Sequence, residues 1–269
     1  MLFRSSLFAR RVVCAGFLAT AASGAALAGP VLDRVKAAST LRVCIWPDYY
    51  GITYRNPRTG QLSGVDIEMA TEFARSLGAR LQFVDSSFTR LAADVTQDQC
   101  DVAMFAVGIT PQRQQVLRFS QPYLRSDIYG ITTRGHRDVR QWADIDQAGI
   151  RVGVQAGTFM EPVMAQSLQH AQLVVVQAPA TRERELESGR IDVFMTDFPY
   201  SRRLLDNADW ARLISPPQPF HPVRYGYAVK PGDAEWLRAV DDFVAQVRRD
   251  GRLEAAAQRH GLSEIVVRP

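Results

Sequence analysis

Two runs of alternating strand and helix patterns limit what this chain can fold into. The first run extends over residues 41–107 and the second over residues 150–205. In both, short apolar segments are separated by stretches whose apolar residues recur at helical spacing. Such alternation is typical of βαβ units, in which parallel strands form a sheet with helices on its faces. The sequence therefore predicts two α/β units in a chain of 269 residues.

The first unit is predicted to begin with a strand over 41–45, followed by a helix that has Asp66 as its N-cap and ends at Gly78. The remaining elements are predicted from the same periodicities. They are strands over 80–84, 101–107, 150–154, 172–176 and 191–196, and helices over 88–96, 159–169, 182–188, 200–205 and 233–260, the last broken at Gly251.

Two extended segments, 127–134 and 224–229, lie between and after the α/β units. We interpret them as two crossings between two lobes, and therefore as a hinge. Open α/β sheets bind ligands at the carboxyl ends of their strands, so two facing lobes create one cleft between them.

The first 28 residues are predicted to be a cleaved signal peptide. Arg4, Arg10 and Arg11 precede an apolar run over 12–28 that ends in the small-x-small pattern Ala-Leu-Ala. A membrane anchor is the alternative, but the run is short and contains polar residues, and a spanning helix needs about 20 apolar residues. We therefore expect export to the periplasm and a mature chain that starts at Gly29.

Charge and motif content exclude several classes of function. The chain has a formal charge of +4, and the predicted signal peptide contains three arginines and no acidic residue, which leaves +1. No basic run with interleaved aromatic residues indicates nucleic-acid binding. The four histidines lack metal-ligand spacing, and no phosphate-binding loop or serine-hydrolase motif is present. We therefore expect no metal, no cofactor and no nucleic-acid partner.

Cys44 and Cys100 are the two cysteines of the predicted mature chain. We place Cys44 at the end of one strand and Cys100 at the start of another. If these strands are parallel neighbours, the Cα atoms are farther apart than the limit of about 7 Å for a disulfide. This placement favours free thiols, although the periplasm permits disulfides.

The segment from Gly108 to Arg113 combines features of a carboxylate-binding site. It follows a predicted buried strand and opens a helix, with Thr110 suited to the N-cap and Pro111 to the first turn. Free backbone N–H groups at a helix start and a nearby guanidinium attract a carboxylate. An ordinary helix cap with a surface arginine explains the same residues equally well.

A second glycine turn precedes Glu161. The N–H groups of Thr158 and Phe159, directly after Gly157, are placed to bind the other side of the same anion. Thr158 and Glu161 also fit a capping box, in which each side chain accepts a backbone N–H at the helix start. We favour this capping role for Glu161 over a catalytic one.

Asp197 follows the predicted strand 191–196, where a carboxylate faces the cleft and can hold an ammonium group. Capping of the following helix is a compatible second role. An arginine and an aspartate across a cleft match a zwitterion. The stretch 46–50, Trp-Pro-Asp-Tyr-Tyr, either covers a ligand side chain with its aromatic rings or seals the lobe surface, and Asp48 is placed to contact a polar ligand.

Several ordered motifs carry a family resemblance. They are Leu41-Arg-Val, Gly64-Val-Asp-Ile-Glu-Met-Ala70, Asp101-Val-Ala-Met, Ile109-Thr-Pro-Gln-Arg113, Phe119-Ser-Gln-Pro-Tyr123, Val152-Gly-Val with Gly157-Thr158, and Thr196-Asp197. In these motifs the chain resembles the family 3 extracellular solute-binding proteins, the polar amino-acid receptors of ABC importers. The resemblance covers about residues 31–262.

The resemblance implies a type II periplasmic binding fold of α/β class, with two lobes that are each an open mixed sheet flanked by helices. The first lobe would comprise 29–125 and the C-terminal return 226–269, and the second lobe 126–225. Arg113 would bind the ligand α-carboxylate and Asp197 its ammonium. The other expected ligand-binding residues are Tyr49, Ala106, Gly108, Thr110, Gly157, Thr158 and Phe159.

The function implied is capture of an amino acid or a similar small carboxylate by a monomer that delivers it to an inner-membrane ABC permease. Two departures leave the ligand side chain unassigned. The first loop reads Tyr-Gly-Ile-Thr-Tyr over 50–54, where the family has an aromatic after two prolines, and Ala106 and Val107 replace small or hydroxyl residues.

An enzyme and a sensor are the alternatives. Periplasmic cyclohexadienyl dehydratases are similar to this family, and they use a glutamate after the second glycine-threonine turn as a general acid; Glu161 stands at a matching place. The segment 217–220, Pro-Gln-Pro-Phe, also looks like those enzymes. We favour the binding protein, because a second acid or base partner for Glu161 is not evident. A sensor would act only by docking on a separate partner.

Overall fold

The structure, a computed structural model, describes residues 31–268; the predicted signal peptide lies outside this range. Its α-helices alternate with strands along most of the chain. They are α1 (Val31–Ala38), α2 (Val65–Ser76), α3 (Leu91–Thr96), α4 (Pro111–Gln114), α5 (Met160–Ser167), α6 (Arg182–Glu187), α7 (Phe198–Leu205), α8 (Ala234–Arg249) and α9 (Arg252–Arg259). None of the helices within 31–268 is both long and apolar enough to cross a bilayer.

The strands form two larger sheets and one small sheet. They are β1 (Thr40–Ile45), β2 (Asp48–Tyr49), β3 (Thr53–Arg55), β4 (Leu62–Ser63), β5 (Arg80–Asp85), β6 (Val102–Gly108), β7 (Arg118–Phe119), β8 (Leu124–Ser126), β9 (Ile128–Thr133), β10 (Arg151–Gln155), β11 (Gln172–Val176), β12 (Val193–Asp197), β13 (Ala211–Ile214) and β14 (Val223–Val229).

The first lobe is built on the sheet with strand order β5-β1-β6-β14-β7, in which β8 also pairs with β14. Strand β1 is parallel to β5 and β6, whereas β14 is antiparallel to β6. All seven residues of β6 are buried. A strand that is buried on both faces is expected to be an unbroken apolar run, and Val-Ala-Met-Phe-Ala-Val-Gly is one.

The second lobe has the sheet order β11-β10-β12-β9-β13, with β10 parallel to β11 and β12, and with β9 antiparallel to β12. Each lobe is thus an open mixed sheet, as the sequence predicted. The two crossings between the sheets are present, and the extended segments next to them form the strands β9 and β14. The chain changes sheets at Asp127 and within 215–222. The lobe limits 126–225 stay a prediction.

In each lobe, an arginine–aspartate ion pair joins the central parallel strands. The Arg42 N–H and guanidinium donate to the Asp101 carboxylate at 2.6–3.0 Å, joining β1 to the start of β6. The Arg151 N–H and guanidinium donate to Asp192 at 2.8–2.9 Å, joining β10 to the start of β12. Charge-assisted, forked hydrogen bonds of this kind fix geometry, so each pair sets the register of its two strands.

The C-terminal return closes the core of the first lobe. Helix α8 is capped by Asp233, whose carboxylate accepts the Trp236 N–H at 2.8 Å. The helix buries an apolar stripe that includes Trp236 and Phe243, and both rings pack on Phe73 of α2. Gly251, with φ of 82°, then separates α8 from α9. Because glycine adopts positive φ without steric cost, it ends the helix where the sequence predicted.

Asp66 is not the N-cap of α2, as we had predicted. The helix begins at Val65 after Gly64, and the Asp66 side chain is fully buried beneath the sheet. Its carboxylate accepts hydrogen bonds from the Ala106 N–H and from two tyrosine hydroxyls, those of Tyr123 and Tyr227. Burial raises the pKa of Asp66 to about 6, and these hydrogen bonds act in the opposite direction.

Cys44 and Cys100 form a disulfide with Cα atoms 5.6 Å apart, so the expectation of free thiols is wrong. The error was to place Cys100 at the start of a strand. Strand β6 begins at Val102, which pairs with Val43, whereas Cys100 lies in the turn between α3 and β6. The spacing of paired strands does not apply to that turn, so the two Cα atoms approach within bonding range.

Opening this disulfide is expected to lower the free energy of unfolding by about 4 kcal/mol, because the bridge closes a loop between residues 56 positions apart. Urea denaturation of the oxidised and the reduced protein measures the difference. The Cys44→Ser/Cys100→Ser variant is the control, and its transition should not respond to reductant. Coincident transitions of oxidised and reduced wild-type protein would contradict the expectation.

Candidate ligand-binding site

The carboxyl ends of the central strands of the two sheets face each other across a narrow cavity of about 20 Å³. Residues of both lobes line it. They are Trp46, Tyr49, Phe88 and Ala106 from the first lobe, and Thr158, Phe159, Met160, Arg182, Thr196, Asp197 and Tyr200 from the second. A single water needs about 10–15 Å³ measured in this way, so an amino-acid-sized molecule enters only when the lobes separate.

Asp197 is the acidic group of the cavity wall, and it is 1% exposed. One carboxylate oxygen accepts the Tyr200 N–H at 3.2 Å, which caps α7 as predicted. The other accepts the hydroxyls of Tyr49 and Tyr225. Burial raises the pKa of Asp197, while the two phenolic hydrogen bonds lower it. Because Tyr49 and Tyr225 belong to the first lobe's strands, Asp197 links the two lobes.

Arg113 makes a second polar contact across the cleft. Its Nη1 donates to the Gly108 carbonyl at 3.0 Å, and its Nη2 donates to the Gly157 carbonyl of the opposite lobe, also at 3.0 Å. The guanidinium lies 5.3 Å from the centre of the Phe88 ring. Burial lowers the pKa of Arg113 to about 10. The guanidinium has five N–H donors, so further N–H groups remain for an anion.

The start of Arg113's helix matches the sequence prediction. Thr110 is the N-cap of α4 and accepts the Arg113 N–H at 3.3 Å, with Pro111 in the first turn. The helix is only one turn long. Thr110, Arg113 and Gly157 border a larger open groove of about 920 Å³ that adjoins the narrow cavity at Thr158 and Phe159.

Gly157 is required by the close approach of the lobes. Its φ is 74°, and a Cβ atom built on it would lie 2.7 Å from the backbone nitrogen of Thr89 in the first lobe. Any side chain at this position would therefore hold the lobes apart as well as strain the turn.

Glu161 borders the open groove and does not line the narrow cavity. Its carboxylate accepts the Gly157 N–H at 2.8 Å and lies in the open groove. The capping box predicted with Thr158 does not form, because α5 begins at Met160 and the Thr158 hydroxyl donates to the Gln155 carbonyl at 2.7 Å. The glutamate still satisfies a backbone N–H of the turn, one residue earlier than predicted.

Arg182 completes the second-lobe wall, and sequence reasoning missed it. The side chain is buried, donates to the Met195 carbonyl at 2.9 Å, and lies 4.4 Å from the ring centre of Tyr200. Tyr200 in turn stacks at 6.4 Å on Trp46 of the first lobe. Nothing local marks this arginine, because the sequence places it in the first turn of a surface helix.

Within residues 31–268, no group of three or more histidine, cysteine or acidic side chains is arranged to hold a metal ion. The cavity walls offer a ligand hydrogen-bond donors, one buried carboxylate and aromatic rings.

The family model of the bacterial extracellular solute-binding proteins, family 3, matches residues 41–263. The chain belongs to this family. Membership confirms the resemblance seen in the ordered motifs, and it makes the chain a solute-binding protein by descent. Its curated relatives include binding proteins and an enzyme.

Two curated relatives and one solved structure illustrate the range of the family. The L-cystine-binding protein TcyJ of Escherichia coli is 27% identical over 229 residues, covering 85% of each chain. Cyclohexadienyl dehydratase of Pseudomonas aeruginosa is 31% identical over 223 residues, covering 82% of each. The crystal structure of an ancestral amino acid-binding protein, described as a precursor of cyclohexadienyl dehydratase, is 26% identical with a TM-score of 0.77, covering 85% of this chain and 98% of that chain. This likeness confirms the type II binding fold.

The structure divides the predicted family 3 ligand set between the cavity and the groove beside it. Tyr49, Ala106, Thr158, Phe159 and Asp197 line the cavity. Thr110, Arg113 and Gly157 border the groove, and Gly108 contributes the carbonyl that holds Arg113. Their ligand contacts stay a prediction. Besides Arg182 and Tyr200, Phe88, Met160 and Thr196 are wall residues that we had not proposed as ligand contacts.

Loss of the Tyr49 hydroxyl is expected to shift the unliganded protein towards an open state. The hydroxyl donates to Asp197 across the cleft, and a hydrogen bond to a charged group contributes about 1.5–3 kcal/mol. Small-angle scattering of Tyr49→Phe should give a larger radius of gyration than wild type. Tyr54→Phe is the matched control, because that ring stacks on Tyr50 of the same lobe. An unchanged radius for Tyr49→Phe would refute the cross-lobe role.

Proposed function

We propose that the protein captures an amino acid or a similar small carboxylate between its lobes and delivers it to an inner-membrane ABC permease. The observation that carries this proposal is the placement of Arg113 and Asp197 beside one cleft, on opposite lobes. A guanidinium and a carboxylate so placed match the two ends of a zwitterion. In this proposal Arg113 binds the α-carboxylate and Asp197 the ammonium.

Both charged groups have capacity for a ligand. Asp197 accepts three hydrogen bonds, and a carboxylate offers about four acceptor positions. When the lobes separate, the hydroxyls of Tyr49 and Tyr225 leave Asp197, and the Gly157 carbonyl leaves Arg113, since each contact joins opposite lobes. The ligand would then replace these contacts as the lobes close, with the change of direction occurring at Asp127 and within 215–222.

The Glu161 side chain already has a structural role, which supports binding over catalysis. A general acid must lie within hydrogen-bond reach of the group it protonates. Glu161 accepts the Gly157 N–H and borders the same groove as Arg113, outside the narrow cavity that Asp197 lines. The similarity to cyclohexadienyl dehydratase defines the enzymatic alternative, and an assay for prephenate turnover tests it.

The disulfide supports export. Disulfides form and persist in oxidising compartments such as the bacterial periplasm, and Cys44 is bonded to Cys100. Together with the basic, apolar and small-residue pattern of 1–28, this supports the proposal that the mature protein acts in the periplasm. We propose that it acts there as a monomer, without cofactor or metal.

A thermal-shift screen on unfolded-and-refolded mature protein tests the function. The panel comprises the twenty L-amino acids, L-cystine, ornithine, citrulline, small organic acids, prephenate and arogenate. A ligand at a hundred times its dissociation constant should add about 2.7 kcal/mol to the stability. One amino-acid class should therefore produce a clear rise in Tm. Prephenate consumption with appearance of phenylpyruvate, abolished by Glu161→Gln, would establish the dehydratase instead.

Two substitutions separate the proposed charge contacts. Arg113→Ala should weaken the binding of every carboxylate ligand by several kcal/mol, because a desolvated charged hydrogen bond is lost. Asp197→Asn should lower the affinity for amino acids and leave the affinity for carboxylates without an amine unchanged. Titration calorimetry with an amino acid and its deaminated analogue measures both effects. Equal losses for the two ligands in Asp197→Asn would contradict the ammonium role.

A further inference from the structure

Strand β6 contains a bulge directly beneath the ligand-binding cavity. Gly226 of β14 pairs with Val107, and Ala228 pairs with Ala103. Between these two pairs β14 advances by two residues and β6 by four, so β6 carries two extra residues. Bulges bend a strand and re-aim its side chains, and they occur often beside functional sites.

Ala106 is the strained residue of this bulge. Its φ is 48°, a left-handed conformation that residues with a Cβ atom avoid. The residue is buried, and its N–H points to a carboxylate of the helix below instead of to a neighbouring strand. Asp66 accepts this N–H at 2.9 Å, and the Tyr123 hydroxyl lies 3.2 Å from the same nitrogen.

Asp66 is held firmly enough to act as this acceptor. The Tyr123 hydroxyl donates to the oxygen that also accepts from Ala106, at 2.5 Å, and the Tyr227 hydroxyl donates to the other oxygen at 3.1 Å. The rings of Tyr123 and Tyr227 pack against each other at a tilt of 36°, with their centres 4.3 Å apart. The carboxylate therefore joins α2 to the bulge, to the segment before β8 and to β14.

The bulge controls two parts of the ligand site. Ala106 itself lines the narrow cavity. Two residues later, the Gly108 carbonyl accepts the Arg113 guanidinium at 3.0 Å, and a Cβ atom on Gly108 would lie 3.3 Å from the same guanidinium. If the backbone at Ala106 relaxed to an ordinary strand conformation, the cavity wall and the anchor of Arg113 would both move.

We propose that Asp66 is a positioning residue of the ligand site: by replacing a strand partner for the Ala106 N–H, its carboxylate holds the bulge that places Ala106 and Arg113. The proposal rests on the proposed function, since it assumes that the cleft binds a small carboxylate. Asp66 contacts no ligand in this scheme, and it acts only through the backbone of β6.

Four variants separate this role from a merely structural one. Asp66→Ala removes the carboxylate acceptor and leaves only the Tyr123 hydroxyl, at 3.2 Å, for the Ala106 N–H. Asp66→Asn keeps a carbonyl oxygen for this N–H. Tyr227→Phe is the matched control, because it removes a hydrogen bond from the same carboxylate without touching Ala106. Asp66→Ala/Ala106→Gly removes the acceptor and the strain together, since glycine adopts positive φ without steric cost.

The first readout needs no ligand. Hydrogen exchange followed by mass spectrometry over residues 102–114 should be faster in Asp66→Ala than in wild type. Tyr227→Phe and Asp66→Asn should keep the wild-type exchange of this segment. Because this measurement does not depend on any solute, it tests the positioning of the bulge and of Arg113 even if the proposed function fails.

The second readout is calorimetric titration with L-arginine and L-cystine. For a probe that binds wild type, Asp66→Ala should lose at least about tenfold in affinity, whereas Asp66→Asn and Tyr227→Phe should stay within about threefold. The Ala106→Gly addition should restore affinity without restoring the Tm lost in Asp66→Ala, a split that a purely structural role would not produce.

Three results would overturn the proposal. One is unchanged exchange over 102–114 in Asp66→Ala, and another is an equal loss of affinity in Tyr227→Phe. The third is failure of the added Ala106→Gly substitution to restore binding. This result also decides the case in which Asp66→Ala alone does not fold, because the double variant then shows whether strain at Ala106 caused the loss of folding. If neither probe binds wild type while exchange responds as expected, the choice of solute is wrong and the positioning role stands.

Discussion

The parallel pairing of β1 with β6 and of β10 with β12 is the constraint on which the rest of the structure depends. Parallel strands end at the same edge of a sheet, so the residues that follow them are brought together without any sequence proximity. An arginine–aspartate pair fixes the register near the start of the pairing in each lobe, Arg42 with Asp101 and Arg151 with Asp192. The cleft lies between these two sheet edges, where they face each other.

Two buried carboxylates then decide the details of the cleft. Asp197 accepts the hydroxyls of Tyr49 and Tyr225, and thereby joins the lobes. Asp66 accepts those of Tyr123 and Tyr227 within one lobe. A buried carboxylate is costly unless hydrogen bonds satisfy it. In both cases the tyrosines supply those bonds, and the carboxylate uses its remaining capacity to hold a backbone N–H, at a helix start in one case and at a strand bulge in the other.

Much of the fold could be predicted from periodicity and from the residues that end helices. The unbroken apolar run of β6, the cap at Thr110 and the stop at Gly251 are local signals, because each depends on a few adjacent residues. The failures share a different cause. Asp66 looked like a helix cap because its partners are distant in sequence. Cys100 looked like the start of a strand because no local signal separates the turn that contains it from strand β6. The two extended segments are strand-like in the sequence, but only the structure shows which sheet each one joins, since their pairing partners lie far along the chain.

The sequence by itself determined the two α/β units, the family and most of the residues at the strand ends. Periodicity, turn residues and ordered motifs each depend only on residues that are close together in the sequence. Only the tertiary structure decided that Glu161 borders the groove and not the narrow cavity, that Arg182 lines the cavity, and that Cys44 meets Cys100. Those outcomes depend on the direction of a side chain relative to elements packed from elsewhere in the chain. A helix start or a turn can present the same residue to either side, and only the packing of the lobes selects between them.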